Sequence, residues 1–387
     1  MNNIYANGRI KTLEALRALA FICVFLHHTG LKYFKFGAGG VSVFLILSGF
    51  VLVINYYSTD KIKKVSIKNN IKFSFAKIKK LYGLHVICTL LMTIFVFFGS
   101  DKVDFYNICL KLLCNLLLIQ EIIPMNDYGL YRSINPVSWY LCTAVLSWFI
   151  FPFIIKKMKE SYDILYALIS IFVLFFIQLL IGICGSKFSI LPSTHDEISF
   201  WTYDMTNWLC YTNPFVRLLD FIIGCNLGYL FLNIKFKSCL KTKYYTLFEI
   251  IAIVLFIVAN IIYVYNRQDI NPGSNVIWSN PRRWWTYTII FTPISCALIL
   301  LFAYGKGGIS NNLVCNQLLY VAKISPYAFL IHYVVFRYIS VIMWHLPRFG
   351  GEQFASHYGG LVNITVGFGF TIFASNLWII INKRIVN

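Results

Sequence analysis

Residues 163–185 read DILYALISIFVLFFIQLLIGICG. Behind Asp163 no residue of this run is charged, and its few polar side chains, Ser170 and Gln178 among them, fall on no repeating face. A helix that packs on a water-soluble core keeps one polar side. A helix that is apolar all round, at about 1.5 Å per residue, has the length to cross the roughly 30 Å hydrocarbon core of a bilayer. This stretch is therefore a membrane span, and the chain around it repeats the pattern. Ten such runs are expected, at about 13–31, 37–57, 81–99, 136–155, 163–185, 213–233, 246–264, 286–304, 320–343 and 360–382. The expected fold is an all-α polytopic membrane protein whose residues 1–387 form a single transmembrane domain.

Composition agrees. Of the 387 residues, 58% are hydrophobic and only 13% are charged, about half the charged fraction of a soluble domain. The net charge of +19 does not point to nucleic acid, because the cations sit in short loops between apolar runs. With the N-terminus inside, Lys and Arg favour the inner loops about two to one, so both termini are expected in the cytoplasm. The 11 cysteines lie mostly within apolar runs and include no Cys-x-x-Cys pair, so neither a disulfide framework nor a metal site is expected. The basic N-terminus is not read as a cleavable signal, because Glu14 and Arg17 interrupt the first apolar run.

One apolar stretch does not fit a crossing. Residues 105–123 (FYNICLKLLCNLLLIQEII) carry Lys111, Asn115, Gln120 and Glu121. A crossing there would reverse the charge bias of every later loop. A re-entrant or interfacial helix is expected instead.

Polar residues inside spans cost at least about 2.5–3.5 kcal/mol each when charged, so each needs a reason. Arg17 and His28 stand eleven positions apart in the first run. Eleven helical steps return to within about 20° of the same face, roughly 16 Å further along. An imidazole there can take a proton from a hydroxyl. Two readings stand: a cation and a base lining one cleft, or an Arg17–Glu14 pair with interfacial histidines. Lys77, Lys79 and Lys80 stand just before the third span, either as a cradle for phosphate or as ordinary inner-side charge. Trp139 and Tyr140 open the fourth span, as belt or site residues. Arg217 and Asp220 are i,i+3 in the sixth, and His332 lies in the ninth. Each has a bland explanation singly, as an ion pair or a helix–helix hydrogen bonder. Together they suggest a lined cavity.

Several of these residues fall in recognisable runs. Arg17 and His28 are similar to an R-x10-H signature. Residues 40–50, GVSVFLILSGF with Ser48, resemble G-V-x-x-F-F-x-L-S-G-F. Residues 75–82 resemble a basic F-x-x-R-x-x-R stretch, 135–152 a W-x-L span, 214–224 an R-x-x-(D/E)-F-x-x-G span, and 324–332 an I-S-Y-x-x-Y-L-x-H span. In this order they resemble the acyltransferase-3 family of bacterial integral membrane acyltransferases, of the polysaccharide O-acetyltransferase type. The resemblance implies a membrane O-acyltransferase in the bacterial inner (plasma) membrane, carrying an acetyl group from cytoplasmic acetyl-CoA to a hydroxyl of a cell-surface polysaccharide or its lipid-linked precursor. It implies His28 and Arg17 as catalytic, Lys77, Lys79 and Lys80 as the donor's phosphate contacts, and Ser48, Trp139, Tyr140, Arg217, Asp220 and His332 as further site residues. It implies no metal and no permanently bound cofactor; acetyl-CoA is a co-substrate, and the envelope glycan is the acceptor. No appended esterase-like domain is expected, so transfer is direct or uses a separate transferase partner.

The sequence departs from the family pattern in places. Lysines replace the arginines of the basic stretch, which removes two-pronged phosphate contacts. Gly83 stands where proline is usual, Ala144 where a glutamate is common, and Ser42 at a frequently acidic position. Trp201, Trp208, Trp278, Trp284 and Trp285 offer rings to a sugar or to the membrane interface. The alternative function is a transporter of a lipid-linked sugar or small anion that performs no acyl chemistry.

Overall fold

In the computed structural model of the chain, residues 5–6, 9–31, 34–60, 62, 64–98, 105–122, 134–188, 208–234, 240–265, 282–345 and 358–386 are described. Trp201 and Trp278 lie outside them, and of Trp284 and Trp285 only the helical backbone is described. A two-residue antiparallel pair, β1 (Tyr5–Ala6) and β2 (Arg9–Ile10), leads into a bundle of helices. The long helices are α1 (Lys11–His28), α2 (Gly37–Tyr56), α3 (Ile67–Phe98), α5 (Trp139–Ser161), α6 (Ile164–Phe188), α7 (Pro214–Asn233), α8 (Thr242–Tyr265), α9 (Arg282–Tyr304), α11 (Asn316–Trp344) and α12 (Phe368–Val386). The short ones are α4 (Phe105–Leu116) and α10 (Gly308–Asn312). Among the described residues, 8 helical segments are long and apolar enough to cross a bilayer. Two expected spans stand outside that set. α1 has 18 residues but includes Lys11, Glu14 and Arg17, and α9 has its apolar described part at Ile289–Tyr304. Each of the ten expected runs falls on one of the ten long helices.

One boundary differs in an instructive way. The basic stretch before the third run, expected to begin at about residue 81, is helical from Ile67, so α3 has 32 residues. The reason is a narrow inward stripe among the lysines. Asn70, Ser74 and Ile78 recur every fourth position and are buried. Asn70 Nδ2 donates to the Phe149 carbonyl at 3.0 Å, and Ser74 Oγ to that of Val145 at 2.9 Å, both on α5. The helix is thus extended by tertiary hydrogen bonds that hydropathy does not register. The 105–123 segment forms a helix of only 12 residues, about 18 Å long and too short to span the core. It turns back at Leu118, whose φ is 57°. His85 Nε2 donates to the Asn115 carbonyl at 2.8 Å, and Asn115 Oδ1 accepts from the Ile134 amide at 2.9 Å, so the turn is anchored to α3.

Helix packing at the centre depends on missing side chains. Gly224 on α7 faces the backbone of α2, where a Cβ would come 1.9 Å from the Ile46 carbonyl oxygen; Gly49 faces Phe221 in the same way, at 2.0 Å. With no hydrophobic drive between helices in lipid, such close backbone approach is what dispersion requires. On the other side, the buried carboxylate of Glu249 in α8 accepts from the Ile309 and Ser310 amides at 3.0 and 3.1 Å. It satisfies the free N–H groups that open α10.

Candidate active site

The first helix sets two centres at opposite ends of the bundle. α1 runs unbroken from Lys11 to His28, which fixes Arg17 and His28 roughly 16 Å apart along one axis. Arg17 lines a cavity of about 600 Å³ with Glu14, Asn55, Lys323 and Pro326 around it. Its walls are the first turns of α1, the last turn of α2 and the first turns of α11. His28 is the last residue of α1, half-buried, and belongs to the far end.

His28 meets His332 of α11. His28 Nδ1 lies 3.2 Å from His332 Nε2. Each ring also touches the carbonyl one turn back on its own helix: His28 Nδ1 at 2.9 Å from Val24 O, and His332 Nδ1 at 3.1 Å from Ala328 O. His332 is 0% exposed. Phe21, Phe25, Phe329 and Phe336 surround it, with ring centroids 5.7–6.2 Å away. The His28 ring faces His27 and Tyr333, at 5.1 and 5.6 Å. An imidazole with one sealed and one open side can exchange a proton with a bound hydroxyl.

Aromatic rings separate the two centres. Tyr140 packs on Phe44 and Phe329 at 6.4 and 5.4 Å, and Phe329 packs on His332 at 6.0 Å. Tyr140 is within electrostatic reach of Arg17. Trp139 is buried against Tyr211 at 5.3 Å. Ser48 is half-buried on α2, between Phe44 and the cavity-lining Val51.

The remaining expected residues fall elsewhere. Lys77 Nζ donates to the Tyr56 hydroxyl at 3.0 Å and lies over the Tyr56 and Phe73 rings. Tyr56 packs on Phe73 and Phe151, and neither it nor Lys77 lines the Arg17 cavity. Lys79 and Lys80 are exposed on α3. Arg217 and Asp220 form a separate buried network. Arg217 Nη1 donates to Asp220 Oδ2 at 2.9 Å, Nη2 to the Cys210 carbonyl at 2.7 Å, and the guanidinium lies 4.6 Å from the Tyr287 ring centre. Asp220 Oδ1 accepts from Gln178 Nε2 at 2.9 Å. This network fastens α6, α7 and α9 together.

Residues 10–380 match the acyltransferase domain. The chain belongs to the acyltransferase-3 family. It is also similar to O-acetyltransferase OatA of Staphylococcus aureus strains NCTC 8325 / PS 47, COL and MRSA252. In each case it is 22% identical over 352 residues, covering 88% of this chain and 53% of the relative. The chain therefore spans about half the length of the curated relatives it matches. No solved structure matches it.

Within this acyltransferase-3 fold the recognised motifs divide by task. Gly49 and Gly224 serve the close approach of α2 and α7, and Arg217 and Asp220 serve the helix network. Arg17, His28 and His332 occupy the two centres. Asn135, from the W-x-L region, donates through Nδ2 to the Leu330 carbonyl at 2.9 Å and so pins α11 two residues before His332. Sequence reading missed Lys323 and Asn55 as residues that line one cavity with Arg17. Lys323 stands one turn inside the expected run at about 320–343. That position was the available signal, since a cation there needs a wet cavity.

Proposed function

We propose that this chain is a multi-pass O-acyltransferase of the bacterial inner membrane, moving an acetyl group from cytoplasmic acetyl-CoA to a hydroxyl of a cell-surface polysaccharide or its lipid-linked precursor. Family membership supports acyl transfer, and the relatives' name supports acetyl as the group. The observation that carries the reading is the His28–His332 contact: a half-buried imidazole with its inner side held by a second ring, at the bundle end opposite a cavity bearing Arg17 and Lys323. In this reading Arg17 and Lys323 receive the anionic part of the donor on the cytoplasmic side, with Lys77, Lys79 and Lys80 of α3 as a diffuse attraction for its phosphates. His28 takes the proton of the acceptor hydroxyl as its oxygen attacks the thioester carbonyl.

Membranes containing the protein should transfer label from acetyl-labelled CoA to envelope glycan. Those containing His28→Ala should not, at equal protein abundance. Transfer at the normal rate by His28→Ala would remove the base. Uptake or flipping of a glycan lipid with no label transferred would instead favour a transporter.

A further inference from the structure

Hydrogen positions at the histidine pair follow from what each nitrogen faces. A carbonyl oxygen only accepts. His332 Nδ1, 3.1 Å from Ala328 O, must therefore carry a proton, and so must His28 Nδ1, 2.9 Å from Val24 O. A neutral imidazole has one N–H, so His332 Nε2 holds a lone pair. That lone pair is 3.2 Å from His28 Nδ1 and receives a share of its proton. His28 Nε2 is then the lone-pair nitrogen of its own ring. The two rings are not interchangeable. His332 is 0% exposed with both nitrogens engaged and phenyl rings around it, so it cannot touch a substrate. His28 is half-buried.

We propose that His332 is the positioning residue of acyl transfer: its Nε2 accepts from His28 Nδ1–H, orients the His28 ring, and stabilises the imidazolium that forms when His28 Nε2 takes the acceptor's proton. The proposal rests on the acyltransferase reading above. In the step, the hydroxyl O–H breaks and its proton moves to His28 Nε2. The oxygen bonds to the carbonyl carbon of the acyl thioester, and the C–S bond breaks. The proton then passes from Nε2 to the departing sulfur, giving an ester and a thiol. Throughout, Nδ1–H stays on His28, and its bonds to Val24 O and His332 Nε2 strengthen as the ring becomes charged. In a water-poor interior such charge-assisted bonds are stronger than neutral ones. The Val24 carbonyl alone holds the tautomer; what His332 adds is needed only once charge develops. Its loss should therefore appear in kcat and not in KM.

The test compares His332→Leu with His332→Gln in the full-length protein, using acetyl-CoA as donor and kcat per amount of monodisperse protein. Gln keeps an acceptor oxygen near the place of Nε2; Leu does not. His332→Leu should lower kcat about 10- to 100-fold, the range of one charge-assisted hydrogen bond, with KM for acetyl-CoA unchanged. His332→Gln should recover most of that loss. Nitrogen-15 NMR of histidine-labelled wild-type protein, with His28→Gln for assignment, should show His28 protonated at Nδ1. Equal kcat in Leu and wild type, equal losses in Leu and Gln, or an unprotonated His28 Nδ1 would each overturn the proposal. A wild-type protein that transfers no acetyl group would overturn the acyltransferase reading, and the NMR result would still decide the proton's place.

Discussion

The ammonium of Lys77 rests 3.0 Å from the Tyr56 hydroxyl and lies 4.9 and 5.2 Å from the centres of the Tyr56 and Phe73 rings. Lys77 does not line the Arg17 cavity, whereas Lys323 does. The two roles are separable by kinetics.

Lys323→Ala should raise the apparent KM for acetyl-CoA roughly tenfold or more, about what one charge-assisted contact is worth, and the effect should persist at high salt. Lys77→Ala with Lys80→Ala should raise KM only a few-fold, and that increment should shrink as salt screens exposed charge over about 10 Å at 0.1 M. Steady-state kinetics at two ionic strengths would distinguish them. An unchanged KM in Lys323→Ala would take the donor out of this cavity.

Arg217→Ala leaves the Asp220 carboxylate buried beside Gln178 with no cation. Breaking one side of a buried pair costs about 3–5 kcal/mol, so the variant should yield little monodisperse protein in detergent. Replacing both, Arg217→Met with Asp220→Leu, should restore much of the yield. An Arg217→Ala protein that is as stable as wild type but inactive would assign Arg217 to the chemistry instead.

Gly224→Ala places a methyl group 1.9 Å from the Ile46 carbonyl oxygen, while Gly369→Ala meets nothing within 4 Å. The first should lower thermal stability by about 1–3 kcal/mol as α2 and α7 are forced apart; the second should be neutral. Melting curves of the two variants, followed by aggregation in detergent, would check the pair. A Gly224→Ala protein as stable as Gly369→Ala would show that the helices separate freely.

With both termini inside, a membrane-impermeant thiol reagent added outside whole cells should label Lys35→Cys and spare Lys64→Cys in a background without the native cysteines. The reverse pattern would invert the topology and put the Arg17 cavity on the outer side.

Hydropathy alone marked the chain as a multi-pass membrane protein and located the ten long helices of the described residues, though not every end of them, because the requirement for about 20 apolar residues is local and strong. The polarity of residues 105–123 likewise set that segment apart, and its helix α4 has only 12 residues. Motif order pointed to Arg17, His28 and the family. The stripe that prolongs α3 to Ile67 was hidden, since it consists of single polar side chains bonding to α5. Only the tertiary structure decided which polar residues meet. His28 and His332 are 304 positions apart, and α1 and α11 must pack in one register before their nitrogens come within 3.2 Å. The same packing brought Lys323 to Arg17 and set Arg217 and Asp220 apart as a fastening. Periodicity reports which face of a helix a residue occupies; the partner on that face is set by helix–helix geometry, which no single helix encodes.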